Sequence, residues 1–492
     1  MIVAMRTAGT TNARRAILAI DLGTGEAKVG LVAADGQLLG AGRAGYAVDL
    51  GGEDGRAEQD PKAWWRAVHD ATASALAEAG PVDVRAVCCV GQGPTLVAAD
   101  ADGRPTHPAI SWLDRRSQAE ADGLATALGV RGWGLGILPK ALWLERHGLA
   151  ESSTRWYLTS WEWIGLRLTG VARATVAIGQ TIPDRAALRA AGLSVDRLPP
   201  EIRAGELLGA LTAEAAGELG IPAGVPVVGG LADALASFLG AGLAGPGDAI
   251  DTGGTSGGFA VYWSGDLPLP ETSRSFVPLE GRYALGGAMS ATGASLDWFR
   301  DDVLGGHTTT ERLIEEAAAT PPGAEGLVFL PYLAGERAPI FDPEARGTFA
   351  GLSLAHRRGH LVRAILEATA FAIRHVAEPI LAAGVTVREM RICGGPGRSD
   401  TWNQIKADIT GFRVAVPVLR DTAMVGAAIL ASPAVGFHRD LPEAIGAIVR
   451  IDHRLEPHPQ TRATYDRLFA AYKQLYADLR PTFARLHGIA RD

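Results

Sequence analysis

Two short stretches restrict what this chain can fold into more than anything else in it. IDLGTGEAK, residues 20–28, closes the apolar run AILAI and continues as AKVGLVAA; DTGGTSGG, residues 251–258, follows DAI and continues into FAVYW. Each reads as a strand, an aspartate, a Gly/Thr turn and a second strand. Two domains that open with one device point to an internal structural duplication. The length agrees, since 492 residues exceed what one ordinary core serves.

The turns have a chemistry of their own. Glycine lets backbone N–H groups approach an anion without a Cβ in the way. Thr24 and Thr255 add hydroxyl donors, Lys28 can neutralise phosphate charge, and Asp21 can hold a hydrated Mg²⁺. One such turn alone could be only a tight hairpin; two copies favour a pair of facing phosphate loops. Neither is a Walker A loop, which needs G-x-x-x-x-G-K-[ST] leading into a helix, and neither is G-x-G-x-x-G.

The rest of the chain alternates in the manner of an α/β protein. Asp35-Gly36 and QLLGAG extend the opening into an antiparallel meander. Asp60-Pro61 starts a helix that Gly80 ends, and RAVCCVG reads as a buried strand. Residues 184–219 are rich in Ala, Leu and Arg and read as helical; a Gly/Pro break at 245–247 precedes the second device. ATYDRLFAAYKQLYADL reads as an amphipathic terminal helix. The expected layout is a disordered lead over 1–15, an N-terminal domain over 16–245 and a C-terminal domain over 246–492.

With 47% apolar and 21% charged residues the chain can bury a sizeable core. Its net charge of −7 argues against a general nucleic-acid surface or a polybasic membrane patch. The lead lacks the apolar region of a signal peptide, and no apolar run approaches the roughly 20 residues that span a bilayer. Cys88 and Cys89 point to opposite sides of one strand, and with Cys393 they fit buried strands in a reducing compartment. A soluble, cytoplasmic protein is expected, with no nucleic-acid or membrane partner.

Three further segments carry polar groups where they need a reason. Asp233 lies in GLADALASFLGAG, otherwise small and apolar, where a carboxylate is costly unless paired or facing a cleft. It can be the N-cap of the following helix, a base able to take a proton from a substrate hydroxyl, or both. SWLDRRS places Trp112, Asp114 and Arg115 together, suited to gripping a polyhydroxylated ligand or, equally, a solvated salt-bridge patch. GGPGRSD, residues 394–400, joins the strand MRIC to the helix TWNQIKADI, a recurrent place to seat a nucleotide.

Together these pieces resemble the FGGY carbohydrate kinases, the family of xylulokinase, ribulokinase, gluconokinase and glycerol kinase. The resemblance runs from about Ala16 to the last helix and is most specific in FAGLSLAHRRGHLVRAILE, residues 349–367. LPKALWLERH, with Lys140 and Trp143, GERAP at 335–339 and DTAMVGAAILA at 421–431 fit the family as well. The resemblance implies two actin-like, ribonuclease-H-like domains of the sugar kinase–actin superfamily, around an interdomain cleft that takes ATP and sugar.

It also implies roles. Asp21 would lie near Mg²⁺, with Thr24, Gly25, Glu26 and Lys28 around the phosphates. Gly254 and Thr255 would form the second loop, Gly293 and Asp297 the next nucleotide segment, and Gly394, Gly395 and Ser399 the adenosine-side turn. Asp233 would be the catalytic base for in-line phosphoryl transfer to a sugar hydroxyl. Gln92, Gly93, Pro94, Trp112 and Asp114 would face the substrate.

Two departures concern that substrate. Ala232 stands where the family commonly has glycine. Gln92 is followed by Gly93-Pro94, where xylulokinases have Met-His and glycerol kinases Arg-Glu, so side-chain contacts to the sugar are lost and room is expected for a larger or less polar end. A ketose, polyol or sugar acid is the expected acceptor, a D-xylulose-like pentulose the first candidate, and a homodimer the common state of relatives. The competing expectations are an ATPase on the same actin-like fold and a catalytically silent sugar-binding regulator.

Overall fold

The computed structural model describes residues 13–51, 55–130, 132–177, 183–254, 256–265, 267, 274–276 and 283–489. Its chain divides into two compact units. One runs to Gly240 and takes in Ala423–Ile448; the other comprises Ala241–Thr422 and the chain from Val449 onward.

The sheet of the first unit begins with β1 (Arg14–Leu22), β2 (Glu26–Ala33) and β3 (Leu38–Gly45) as an antiparallel meander, so the hairpin expected from IDLGTGEAK is present. β4 (Val82–Gly91) joins parallel to β1, and β5 (Leu207–Ala210) and β6 (Pro226–Val228) complete the order β3-β2-β1-β4-β6-β5. Past their charged first residues β1 and β4 are buried and mostly apolar, as strands covered on both faces must be, and Cys88 and Cys89 are buried in β4 as free thiols.

The second unit repeats the plan. Its strands are β7 (Asp248–Asp251), β8 (Gly257–Trp263), β9 (Arg274–Phe276), β10 (Tyr283–Met289), β11 (Glu389–Ile392), β12 (Val414–Pro417) and β13 (Ile451–Leu455). Leaving aside the edge strand β9, the order is β10-β8-β7-β11-β12-β13, with the same sequence of antiparallel and parallel pairings as β3-β2-β1-β4-β6-β5. The duplication inferred from two turns therefore extends over six strands.

Local signals behave as chemistry dictates. Asp60 caps the helix Pro61–Ala79 by accepting the Lys62 N–H at 2.9 Å, and Gly80 ends it at φ 66°. Trp64 of that helix is fully buried and meets Trp163 edge-on. The terminal helix Arg462–Ile489 buries Tyr465, Phe469, Tyr472 and Phe483 against its own unit's core.

Three expectations change. Residues 184–219 are not all helix: Glu201–Arg203 and Leu207–Ala210 are strands between the helices Arg185–Ala190 and Ala213–Leu219. Pro199-Pro200 and Gly205 interrupt helical hydrogen bonding there, and pairing with Pro226–Val228 overrides the Ala/Leu composition. The strand β1 begins at Arg14, inside the segment expected as a lead, whose first twelve residues lie outside the described ones. Finally, residues 423–448 group with the first unit, although the sequence placed everything beyond 246 in a second domain. The reason is packing: glycines at 30 and 426 leave no room for a Cβ against Met424 and the Ala236 backbone.

Among the described residues no helix is long and apolar enough to cross a membrane.

Candidate active site

The turn after β1 is held by a tyrosine that no local pattern announces. The Tyr46 hydroxyl lies 2.5 Å from the Gly23 carbonyl and 3.1 Å from that of Glu26, while its N–H donates to Gly25 at 2.9 Å. Burial and the nearby Asp21, Asp233 and Glu26 hold the phenol well above its ordinary pKa, so it stays a donor. The turn Gly23–Glu26 is thus preshaped, with Gly25 exposed at its tip.

Around it the charges are arranged closely. Lys28 Nζ is 3.5 Å from Asp21 Oδ2 and 3.7 Å from Glu26 Oε1. Asp21 is buried and Lys28 partly exposed, so a cation borne by the protein already compensates the strand-end carboxylate. Asp233, partly buried, opens the helix Asp233–Gly240. Its pKa is pushed up from 3.8 to about 7, by burial first and then by Asp21, with the Ala234 N–H and Lys28 opposing. Its Oδ1 accepts the N–H of Ala234, the next residue, at 2.7 Å. A capping side chain would reach the second or third N–H of the helix, so Asp233 is not used as a cap of that kind.

The residues expected to face the substrate fall into a connected set. β4 runs to Gly91, whose N–H donates to Leu231 and which bridges to Ala232, bringing Gln92–Pro94 beside the segment before Asp233. Gln92 is buried; its amide donates to Gln59 Oε1 at 2.6 Å, and Gln59 donates to the Thr24 carbonyl at 2.8 Å. Trp112 is 37% exposed, and its indole N–H donates to Thr24 Oγ1 at 2.9 Å. Gln92 and Trp112 are therefore wired to the first turn from two sides. Gln59 belongs to a five-stranded sheet built from Asp49–Leu50, Ala57–Gln59, Leu96–Ala99, Ala109–Ile110 and Trp156–Thr159, which the sequence reading missed because its strands are short and distant in sequence.

Two expectations about this set need correction. A Cβ on Gly93 would lie 2.9 Å from Trp161 Cζ3, so the indole of Trp161 occupies the room that glycine was expected to open. Asp114, with a side chain 1% exposed, has both oxygens engaged: Oδ2 accepts the Ala57 N–H at 2.9 Å and pairs with Arg116 at 2.7 Å, and Oδ1 accepts the Arg116 backbone N–H at 3.0 Å. The partner is Arg116, stacked on Trp143 at 4.4 Å, not the exposed Arg115. Lys140 is buried near this pair, and desolvation lowers its pKa to about 8 against the pull of Asp114.

In the second unit the expected nucleotide segments converge. The Gly254 carbonyl accepts the Gly293 N–H at 2.9 Å and the Thr292 hydroxyl at 3.2 Å. Gly394, at φ 70°, has no space for a Cβ, which would lie 2.8 Å from the Gly253 carbonyl. Gly395 begins a short 3₁₀ turn and is exposed, and Ser399 caps the helix Asp400–Thr410 by accepting the Trp402 N–H at 3.2 Å. Asp297 is exposed and pairs with Arg300 at 3.0 Å. Thr255 lies outside the described residues.

Carboxylates, a lysine and two glycine turns make hard-oxygen and phosphate sites. No group of three His, Cys, Asp or Glu side chains able to hold a metal occurs among the described residues. One or two carboxylates completed by phosphate oxygens is a donor set that suits Mg²⁺, and the buried strand-end carboxylate of Asp21 fits it.

Comparison with known proteins agrees with this geometry. Residues 16–240 match the N-terminal domain, and residues 251–435 the C-terminal domain, of the FGGY family of carbohydrate kinases. The chain is 32% identical to the xylulose kinase of Escherichia coli over 95% of its own length and all of that protein's. It is 27% identical to a gluconokinase of Bacillus subtilis over 93% of its length and 95% of the relative's. The crystal structure of a xylulose kinase from Rhodospirillum rubrum superposes with a TM-score of 0.81 at 30% identity, covering 95% of this chain and 99% of that one.

A duplicated α/β scaffold with these matches defines an ATP-dependent carbohydrate kinase, acting on a small-molecule sugar substrate. The chain belongs to the FGGY family.

Proposed function

We propose that this kinase phosphorylates a hydroxyl of a ketose, polyol or sugar acid, with a D-xylulose-like pentulose the first candidate and Asp233 the general base. The observation that carries this is the position of Asp233, opening its helix next to the Gly91–Ala232 bridge and within electrostatic reach of Asp21 and Lys28, where burial raises its pKa to about 7. A carboxylate tuned toward neutrality is a far better proton acceptor than an ordinary aspartate and is still about half ionised near pH 7.

The acceptor hydroxyl donates its proton to Asp233 as its oxygen bonds to the γ-phosphorus and the bond to the ADP oxygen breaks. Thr24, Gly25, Glu26 and Lys28 receive the phosphate charge, with the turn kept in shape by Tyr46. Gly254, Thr255, Gly293, Asp297, Gly394, Gly395 and Ser399 serve the nucleotide. Trp112 offers its exposed ring to the sugar, while Gln92 and Asp114 act through their neighbours, holding Gln59 and the loop that carries Trp112. Mg²⁺, held by Asp21, would supply charge neutralisation on the phosphates, as in other phosphoryl transfers. Such ATP chemistry on a free sugar suits a cytoplasmic location.

A panel of pentuloses, polyols and sugar acids with ATP, read by coupled ADP production, tests the reading. ADP release that depends on one of these acceptors supports it. ATP hydrolysis as the main activity, unchanged by every acceptor, would favour the actin-fold ATPase, and acceptor binding with no turnover the silent regulator.

A further inference from the structure

The two copies of the opening device differ in what neutralises the strand-end carboxylate. β1 and β7 hold the same place in their sheets, so Asp251 is the counterpart of Asp21. Asp21 is matched by Lys28, on the neighbouring strand, at 3.5 Å and with a side chain 23% exposed. Asp251 is matched by Lys406 at 2.5 Å, and the two side chains are 3% and 2% exposed. Here the cation comes from another part of the chain, 155 residues away.

Both ends of this pair are tied to glycine turns. The second oxygen of Asp251 accepts the N–H of Gly253, at 3.1 Å, in the segment 252–254 that leaves β7. Lys406 lies on the helix Asp400–Thr410, which begins at the turn Gly394–Ser399, and Asn403 on that helix donates to the Gly397 carbonyl at 3.2 Å. The strand-end backbones are joined as well, because the Cys393 N–H donates to the Asp251 carbonyl at 3.0 Å.

Net stability is a poor reason for such a pair, since burying two charges costs about as much as their attraction returns. Geometry is a better one: a buried ion pair with its remaining lone pairs satisfied tolerates a single arrangement. We propose that Lys406 is a positioning residue for nucleotide binding, its ion pair with Asp251 clamping the segment 252–254 after β7 to the helix carrying the turn 394–399. Asp251 is thereby committed to the protein and, unlike Asp21, is closed to a cation. The proposal rests on the assignment of these two turns to the nucleotide.

The test compares wild type, Lys406→Met and the double variant Lys406→Met/Asp251→Asn in the full-length protein. Melting temperature, binding of a non-hydrolysable ATP analogue, and KM for ATP and for the acceptor are measured. Lys406→Met strands a buried carboxylate and is expected to melt lower. The double variant removes that charge, keeps an oxygen for the Gly253 N–H and is expected to recover the melting temperature. In both, KM for ATP and the analogue's dissociation constant are expected to rise about tenfold or more, with KM for the acceptor within about twofold. A double variant that folds and binds the analogue as wild type does would overturn the proposal and leave the nucleotide assignment intact. A wild type that does not bind the analogue at all would overturn both.

Discussion

The indole N–H of Trp112 donates to the hydroxyl oxygen of Thr24 at 2.9 Å, linking the exposed aromatic ring of the segment 111–117 to the first Gly/Thr turn. Because that oxygen accepts from Trp112, the proton of Thr24 is directed elsewhere and is free to donate to a phosphate. The ring proposed to meet the sugar and the hydroxyl proposed to meet the phosphate are thus set by one contact.

Replacing Trp112 by Phe keeps a stacking face and removes only that donor. The expected result is a kcat roughly three- to tenfold lower, the worth of one hydrogen bond, with acceptor KM within about twofold. Trp112→Ala should raise acceptor KM as well. Steady-state kinetics with ATP saturating would separate the two effects, and a Trp112→Phe variant with altered KM alone would show the contact to be incidental.

The pH dependence follows from Asp233. As the proposed base it must be ionised, so kcat/KM for the acceptor should fall about tenfold per unit below roughly pH 7. Stability should move the other way. The native state binds this proton more tightly than the unfolded chain, whose carboxyl titrates near 3.8, so the group's contribution is present at low pH and is lost as pH rises toward 7. Asp233→Asn should therefore raise the melting temperature at pH 8 and leave it nearly unchanged at pH 4. An equal shift at both values would count against a raised pKa.

Tyr46 tests the preshaping of the first turn. Tyr46→Phe keeps the ring beside Trp64 and removes the bonds to Gly23 and Glu26, at a cost of about 1 kcal/mol in stability. Its larger effect should be on ATP, as a higher KM, because the turn loses its fixed N–H directions. Urea unfolding together with ATP kinetics would check both.

Gly93 and Trp161 share one space. Gly93→Ala should destabilise by about 1–3 kcal/mol and lower kcat/KM, and Trp161→Leu should restore much of both in the double variant. Additive losses would mean that the two positions do not compete for that space.

Much of this was legible in local chemistry. Asp60-Pro61 and Gly80 announce a helix because capping needs only neighbouring residues, and the two Gly/Thr turns announce their hairpins likewise. Asp233 drew attention because a carboxylate among small apolar residues requires a cause. What escaped depends on pairings across the chain. Tyr46 lies 20 residues or more from the turn atoms it holds, Asp114 bonds to a backbone 57 residues away, and Lys406 meets Asp251 across 155. Leu207–Ala210 became a strand because an edge was waiting for it, and Ala423–Ile448 joined the first unit because two glycines let it pack closely. None of these partners is marked by residue type alone.

The most direct test of the account removes the base and leaves everything else. Phosphoryl transfer by Asp233→Asn should fall by roughly 10²–10⁴-fold at pH 7.5, while ATP binds within about twofold of wild type. Near-normal turnover of the acceptor by this variant would contradict the account.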